Sequence, residues 1–405
     1  MKVFVLNCGS SSVKYQLFDM GDESVLAKGR VERIGTDEAL VVHQATGRDA
    51  VHATGTILEH TAAIQRVLAL LTSPEHGVIR HVSEIGAVGH RVLHGGEYFS
   101  GSVLVTPEVK QAIRACFDLG PLHNPANLAG IEAAENLIPG VPQVATFDTG
   151  FHSTMPRYAY LYALPYVLYR RYHVRRYGFH GTSHRYVSER AAALMGRPPA
   201  ELKLISCHLG NGASVAAVQG GASVDTSMGF TPLEGLVMGT RSGDLDPAVL
   251  PYVMAKEELG LAEISSMLNK HSGLLGVSGV SGDMRDIEEE MEKGNPRARD
   301  AFLMFTYRLR KYIGAYAAAM DGVDAILFTG GIGENSWRVR EEVCQHLNYL
   351  GVQIDPDLNR NGQKEKDIAT PSSRVRVWVI PTNEELVIAR DARDIVLKEK
   401  EKAGA

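Results

Sequence analysis

The chain has 405 residues, of which 44% are hydrophobic and 22% are charged, and its formal net charge at pH 7 is −5. This length exceeds the size at which a single hydrophobic core usually stops growing, so we expect two domains in an ordinary globular protein. The acidic balance argues against a dedicated nucleic-acid binder, and no apolar run approaches the length of a membrane span. Four widely separated cysteines without a Cys-x-x-Cys pair argue against a zinc site or disulfide framework and indicate a reducing cytoplasm.

Short β-branched or alternating runs between turn residues predict strands along much of the chain. In chain order these runs are Lys2–Leu6, Val13–Phe18, Ser24–Val31, Ile85–His90, Val144–Thr146, Leu202–His208, Ser214–Gln219 and Ala325–Phe328. Apolar residues at helical spacing predict a helix over Thr56–Leu71, and another is expected from about Glu384. Strands with intervening helices indicate an α/β protein. Superposing Ser12-Val13 on Ser214-Val215 matches two strand–turn–strand units, which alone is poor evidence for duplication.

The first glycine-rich turn reads Asn7-Cys-Gly-Ser-Ser-Ser-Val-Lys14 and follows the first strand. Backbone amides, hydroxyls and a lysine at this spacing suit the binding of a phosphate. The segment is not a Walker A loop, which needs Gly-Lys-Ser/Thr at the start of a helix. An ordinary hairpin turn would have the same appearance.

Two further glycine-rich turns follow later strands. His208-Leu-Gly-Asn-Gly212 predicts a turn with positive φ angles and converging amides, although a generic hairpin would look alike. Gly330-Gly-Ile-Gly-Glu-Asn335 follows a strand and is expected to open a helix. It lacks the Gly-x-Gly-x-x-Gly spacing of a dinucleotide fingerprint, and so does the first turn, which excludes an NAD-dependent dehydrogenase.

Arginines and histidines lie beside other glycines. Arg91 is in Gly89–Gly96, His180 is in Tyr177–His184, and Arg241 is in the loop between Thr226 and Pro247. Two of these segments contain His-x-x-x-His, namely His90/His94 and His180/His184. Metal ligation at that spacing needs a helix, and the adjacent glycines argue against one. The basic, aromatic run at residues 169–177 indicates an interface or a solvated face rather than a nucleic-acid patch.

The string from Thr226 to Pro247, with the three turns in this order, closely resembles the acetate kinases, and the resemblance extends from Asn7 to Glu384. It implies an α/β fold with two ribonuclease-H-like (actin-like ATPase) domains and a cleft between them. The first domain would cover residues 1–150, joined by a C-terminal helix at 386–405, and the second 151–385. The resemblance also implies a cytoplasmic homodimer that acts on small molecules, with no nucleic-acid or membrane partner.

The same resemblance assigns site residues. It implies catalytic roles for Arg91, Asp148, His180 and Arg241, with Arg91 also contacting the acceptor. It implies a small acyl pocket formed by Leu93, Leu122, Phe179 and Pro232. Asn7 and Glu384 would hold Mg²⁺, with Mn²⁺ as an alternative. ATP would bind to residues of the three turns and of a fourth segment: Ser10, Ser12, Lys14, His208, Leu209, Gly210, Asn211, Gly212, Asp283, Met284, Arg285, Gly331, Ile332, Gly333, Glu334 and Asn335.

The reaction implied is reversible phosphoryl transfer from ATP to acetate, giving acetyl phosphate and ADP. A carboxylate acceptor is already ionised at neutral pH, so we expect Asp148 to act by positioning and electrostatics rather than as a base. Direct in-line transfer is preferred, and the alternative is a phosphoenzyme on Glu384 or Asp148. Leu93 replaces the valine that is common in the family, which should favour acetate over propionate, and propionate over butyrate. The rival functions are a propionate or butyrate kinase and an actin- or chaperone-like nucleotide switch.

Overall fold

The computed structural model describes residues 1–404, which form two compact units. Unit 1 contains Met1–Ser153 and the segment that begins at Asn383, and unit 2 is Thr154–Thr382. The strands are β1 (Lys2–Gly9), β2 (Ser12–Asp19), β3 (Ser24–Glu32), β4 (Thr36–Ala45), β5 (Val51–Ile57), β6 (Ile85–Val92), β7 (Val103–Leu104), β8 (Gln143–Phe147), β9 (Lys203–Leu209), β10 (Ala213–Gln219), β11 (Ala222–Thr226), β12 (Ala325–Thr329), β13 (Lys366–Asp367) and β14 (Arg376–Val379).

Helices surround both sheets. They are α1 (His60–Leu71), α2 (Pro107–Ala115), α3 (Asn124–Leu137), α4 (Arg157–Tyr160), α5 (Tyr166–Tyr172), α6 (Gly181–Met195), α7 (Val249–Glu257), α8 (Leu261–Lys270), α9 (Gly273–Ser278), α10 (Met284–Glu292), α11 (Pro296–Ala319), α12 (Gly330–Asn335), α13 (Trp337–Cys344), α14 (Pro356–Arg360) and α15 (Glu384–Gly404). None of the helices in residues 1–404 is both long and apolar enough to cross a membrane.

The sheet of unit 2 has the same strand order as part of the sheet of unit 1, which has two further strands, β4 and β5, at one edge. The sheet of unit 1 runs β5-β4-β3-β2-β1-β6-β8-β7, and that of unit 2 runs β11-β10-β9-β12-β14-β13. In each sheet three antiparallel strands are followed by two that run parallel to the first of them. The β1–β2 and β9–β10 hairpins therefore occupy equivalent places. The match of the two strand–turn–strand units around Ser12 and Ser214 corresponds to this shared topology.

The central parallel strands are apolar because both of their faces are covered. All five residues of β8 and of β12 are buried. In unit 1, α1 and α3 cover one face of the sheet with an apolar cluster, and α15 packs on β1, β6 and β8. Gly89 allows this packing, since a Cβ at that position would lie 2.6 Å from Ile388 Cγ2. The covered sheet fixes the strand ends that carry the site residues.

All eight predicted strands are present, but the first predicted helix began too early. Thr56 belongs to β5, which pairs with β4, and α1 starts only at His60. Neither β4 nor β5 was predicted, and the omission of β5 follows from its being largely exposed and lacking a simple apolar alternation. The C-terminal helix is present as α15, although Ala405, the last residue of the prediction, lies outside the described residues.

Candidate active site

In unit 1, one basic and two acidic side chains meet at the ends of parallel strands. Arg91 lies near the end of β6, Asp148 directly follows β8, and Glu384 begins α15. Arg91 Nη2 donates to Asp148 Oδ2 at 2.9 Å, and Arg91 Nε lies 4.0 Å from Glu384 Oε2. Adjacent parallel strands end at one edge of a sheet, which is where α/β proteins usually place ligands. The fold thus brings together three site residues from distant segments.

Burial and neighbouring charges together shift the pKa values of this group. The Asp148 side chain is fully buried and that of Arg91 is 17% exposed. Burial beside the Asp148 carboxylate raises the pKa of Glu384 to about 7, although Arg91 and Lys14 oppose the shift. Burial lowers the pKa of Arg91, but Asp148 and Glu384 raise it by more, so the guanidinium stays charged. When Glu384 is ionised, the two carboxylates outweigh the charge of the one guanidinium, which favours the approach of a cation.

The β1–β2 hairpin presents the residues predicted to face phosphates. Gly9 pairs with Ser12 across the turn, and Asn7 lies directly opposite Lys14. Directly opposed residues of an antiparallel pair project to the same face of the sheet. Ser10 and Lys14 are exposed, whereas Asn7 and Ser12 are half-buried. An amide, hydroxyls and an ammonium group are therefore accessible on one short hairpin.

Two buried asparagines that the sequence analysis missed hold the loop after β6. The Leu93 amide donates to Asn127 Oδ1 at 3.0 Å. The His94 amide donates to Asn124 Oδ1 at 3.1 Å, and Asn124 Nδ2 returns a bond to the His94 carbonyl at 2.9 Å. Both asparagines are on α3, and Leu93 is 6% exposed. The string Leu122-His-Asn-Pro-Ala-Asn127 was the available signal, since it places two amides one turn apart at a helix start.

The other predicted pocket residues have different environments. Leu122 is 72% exposed on unit 1. In unit 2 Phe179 is buried and Pro232 is half-buried. The Pro232 carbonyl accepts a 3.1 Å hydrogen bond from Arg241 Nη1, so these two predicted residues are in direct contact.

In unit 2, His180 and Arg241 both approach Gly212. A Cβ on Gly212 would lie 3.4 Å from Arg241 Nη1 and 3.5 Å from His180 Nε2. His180 has a left-handed backbone with φ 56° and is the residue that precedes α6. Its ring stacks on His208 with the centroids 4.3 Å apart. Burial lowers the pKa of Arg241. Two predicted catalytic residues therefore lie beside the β9–β10 turn.

A chain of short hydrogen bonds orients His180. Its Nδ1 lies 2.9 Å from Ser214 Oγ, which lies 2.7 Å from His184 Nε2. His184 Nδ1 in turn lies 2.8 Å from Ser206 Oγ. A hydroxyl has one proton, so Ser214 donates to one of these rings and accepts from the other. The tautomers of the two histidines are thereby linked.

Two expectations about these glycine-rich segments were wrong. The glycines near His180 do not prevent a helix, because α6 begins at Gly181 and includes His184. Both nitrogens of His184 contact serine hydroxyls, so the spacing serves the hydrogen-bond chain rather than a metal.

The β9–β10 turn also lacks the expected positive φ angles at Gly210 and Gly212. A Cβ on Gly212 would be in ordinary van der Waals contact with the side chains of Arg241 and His180.

Three segments of unit 2 line a pocket of about 770 Å³. The predicted residues that line it are Gly210, Asn211, Asp283, Met284, Arg285, Gly331, Ile332 and Asn335, and the additional ones are Gly282, Glu288 and Ser336. Close packing joins the segments, since a Cβ on Gly239 would lie 2.0 Å from Asn211 Oδ1 and 2.8 Å from the Gly282 carbonyl oxygen. The pocket combines amides, carboxylates and an arginine in a volume that suits a nucleotide.

Hydrogen bonds made by the Arg340 and Glu334 side chains hold the short helix α12 in place. Arg340 is 2% exposed, and its Nη1 donates to the carbonyls of Gly333 and Glu334 at 2.8 and 3.0 Å. Glu334 Oε1 accepts from the amides of Gly330 and Thr382 at 3.1 and 3.3 Å. Gly333 and Glu334 therefore support the pocket rather than line it. His208 and Leu209 are also outside the pocket lining, and His208 contacts Ser183 Oγ through Nδ1 at 2.8 Å.

Among residues 1–404, no group of three His, Cys, Asp or Glu side chains could hold a metal ion by itself. Oxygen donors that suit Mg²⁺ are nonetheless present in unit 1, namely the Asn7 amide and the Asp148 and Glu384 carboxylates. Their chemistry fits a hard cation that keeps several waters or substrate oxygens.

The repeated sheet order, with a glycine-containing turn after the first strand of each sheet, defines an α/β protein of the actin-like ATPase class. Residues 2–390 match the model of the acetokinase family. The chain belongs to the acetokinase family. This confirms the predicted family and the prediction of two ribonuclease-H-like domains.

Relatives with known names agree with this assignment. The acetate kinase of Symbiobacterium thermophilum is 63% identical over 396 residues, which cover 98% of this chain and 99% of the relative. The crystal structure of Porphyromonas gingivalis acetate kinase has a TM-score of 0.94 at 50% identity and covers 98% of this chain and 99% of its own. A propionate kinase from Francisella tularensis has a TM-score of 0.90 at 42% identity, with coverage of 97% and 99%.

Proposed function

We propose that this chain is a phosphotransferase that converts acetate and ATP reversibly into acetyl phosphate and ADP. The observation that carries the proposal is the pair of arginines beside glycine-rich segments, Arg91 bonded to the buried Asp148 carboxylate and Arg241 beside Gly212 and His180. A nucleotide switch that only hydrolyses ATP has no need for two such guanidinium groups. The named relatives at 54–63% identity support acetate as the acceptor.

Each charged group has a role that its surroundings support. Arg91 and Arg241 would bind the acceptor and the transferring phosphoryl group, because a guanidinium offers several donors in a fixed plane. His180 would donate to the equatorial oxygens of the transition state, held by Ser214. Asp148 would orient Arg91 through its 2.9 Å bond, rather than accept a proton from an acid that is already ionised. Transfer would be direct and in line.

The remaining predicted residues would bind the two substrates. The pocket of unit 2 would take the adenosine and the hairpins would take the phosphates, with Ser10, Ser12 and Lys14 on β1–β2. Leu93, Leu122, Phe179 and Pro232 would limit the length of the acyl chain.

Magnesium would be held by Asn7 and Glu384, directly or through water, with Asp148 close by. Its chemistry would be to neutralise the negative charge of the phosphates. Mn²⁺ is the alternative cation. Bound cation would also stabilise the ionised form of Glu384, because its positive charge opposes the effects of burial and of Asp148.

We also propose a cytoplasmic homodimer without nucleic-acid or membrane partners. All four cysteines are free and buried, which suits a reducing compartment. Exposed aromatic and apolar side chains at Tyr158, Leu164 and Tyr166 offer surface for a second copy.

The test is to incubate the protein with Mg-ATP, hydroxylamine and acetate, propionate or butyrate, and to measure acyl hydroxamate. We expect product with acetate, less with propionate and little with butyrate. Arg241→Ala should remove the product while leaving ATP bound, as measured by equilibrium dialysis. ADP formation without hydroxamate from any acid would contradict the proposal and favour the nucleotide switch. Propionate or butyrate ahead of acetate would favour the corresponding kinase.

A further inference from the structure

The loop that carries Arg241 has no regular secondary structure of its own. It follows β11 and continues to α7, and it contains Pro232 as well as Arg241. A guanidinium that must meet a small anion accurately needs support, because an error of about 1 Å can cost about a hundredfold in rate. The residues that hold this loop are distant in sequence, and one of them, Arg176, belongs to the run 169–177 that was expected to be an interface or a solvated face; with 16% of its side chain exposed, Arg176 is not part of a solvated face.

Arg176 holds the start of the loop. Its Nη1 donates to the carbonyls of three successive residues, Thr226, Ser227 and Met228, at 3.0 to 3.1 Å. Its Nη2 donates to Glu234 Oε1 at 2.6 Å. The side chain is only 16% exposed, and although burial lowers the pKa of Arg176, Glu234 and the other acidic groups around it together raise it by more.

Glu234 extends the connection to Tyr162. The Tyr162 hydroxyl donates to Glu234 Oε2 and accepts from the Phe230 amide, the latter at 2.9 Å. Gly229 makes room for this contact, since a Cβ there would lie 1.8 Å from Glu234 Oε2 and 2.2 Å from the Tyr162 hydroxyl. Every polar atom of the carboxylate is therefore matched to a specific donor. A network satisfied in this way is rigid, and the loss of one partner leaves a poorly solvated charge.

The network ends two residues from the proposed acyl pocket. Glu234 is two positions after Pro232, whose carbonyl accepts from Arg241 Nη1 at 3.1 Å. One residue further on, the Gly235 amide donates to Asp244 Oδ1 at 2.8 Å, which closes the base of the segment that contains Arg241. The position of Pro232 and the direction of the Arg241 guanidinium are thus determined by the same backbone.

We propose that Glu234, held by Arg176 and Tyr162, is a positioning residue that fixes Pro232 and the Arg241 guanidinium for the acyl substrate. This assignment rests on the proposed function and adds the residues that set its acceptor affinity. The nucleotide pocket contains none of the three residues, so their effect should be specific to the acceptor.

The test compares steady-state constants for Glu234→Gln and the wild type. The glutamine side chain must place its NH₂ group against either the Tyr162 hydroxyl or the Arg176 guanidinium. Both of these groups already donate to the carboxylate, so two donors would face each other. We expect kcat/KM for acetate to fall about tenfold to a hundredfold, mainly through KM, with KM for ATP changed less than about twofold. Tyr162→Phe keeps the ion pair and should give a smaller change in the same direction, and it serves if Glu234→Gln does not fold.

Asp367→Asn is the matched control, because Asp367 on edge strand β13 accepts from Arg376 Nε on the adjacent strand β14 at 2.7 Å, in a partly buried pair of the same unit. It should lower the thermal midpoint without raising KM for acetate.

In an Arg241→Lys background, Glu234→Gln should lower kcat/KM for acetate by less than about threefold, since the two changes disturb one contact. The assignment would be overturned if the effects of Glu234→Gln and Arg241→Lys on kcat/KM for acetate simply multiplied. It would also be overturned if KM rose equally for ATP and for acetate. A wild-type protein without acetate-dependent product would instead overturn the proposed function, and the positioning role with it.

Discussion

His90 should make the stability of unit 1 fall in mild acid. It lies on β6 next to Arg91, is 2% exposed, and its Nε2 donates to Gln143 Oε1 at 2.7 Å. Burial lowers the pKa of His90 from 6.5 to about 4, although Gln143 and the charge of Glu135 oppose the shift. The folded state therefore favours the neutral ring, and the unfolded chain binds the proton first. Stability is complete above pH 6.5 and is lost as pH falls from there towards about 4.

The size of the effect follows from this shift. A difference of about 2.5 pK units corresponds to about 3 kcal/mol in total at about 1.4 kcal/mol per unit. Integration between about pH 7.5 and about pH 5 gives a loss of about 2 kcal/mol. The ring needs no discount for solvent screening, because it is almost completely buried.

The assay is urea unfolding of the wild type and of His90→Gln at both pH values. Glutamine can still donate to Gln143 but does not titrate, so its loss on acidification should be about 2 kcal/mol smaller than that of the wild type. His52→Gln, an exposed change on β5, is the control and should behave as the wild type. Equal pH dependence in the wild type and His90→Gln would refute the reasoning.

Three further changes test the site. Leu93→Ala should relax the preference for acetate over propionate by about tenfold or more, since a methylene misfit is worth about 1–3 kcal/mol, and an unchanged ratio of kcat/KM values would remove Leu93 from the pocket. Ser214→Ala should lower kcat by about tenfold or more with KM for ATP nearly constant, because His180 loses its orienting partner. A wild-type kcat in this variant would show that the hydrogen-bond chain does not orient His180 for catalysis. Gly239→Ala should raise KM for ATP several-fold, because its Cβ would displace Asn211, whereas a larger effect on KM for acetate would contradict the pocket assignment.

The strands and the turns that carry site residues could be predicted because their signals are local. A buried run such as β12 followed by Gly330 identifies both a strand end and a turn in one short stretch. β5 could not be predicted, since an exposed edge strand has no apolar period. The helix at His184 was missed because glycine at its first position reads as a loop. Local pattern therefore located the loops but not every conformation within them.

The supports of the site were not predicted, for a different physical reason. Arg176 and Glu234 are 58 positions apart, and nothing in either segment identifies the other as its partner. Asn127 likewise bonds Leu93 from 34 positions away. Such contacts join loops and helices that are distant in sequence, and they form only in the folded chain. The resemblance to a family assigned the reacting groups, whereas only the structure identifies what holds them.

The most direct test of the account is the configuration of acetyl phosphate made from acetate and ATP with a chiral γ-phosphoryl group. Direct transfer from ATP to acetate predicts acetyl phosphate with one net inversion. Net retention would contradict direct transfer and indicate a phosphoenzyme on Glu384 or Asp148, and the absence of acetyl phosphate would contradict the proposed function itself.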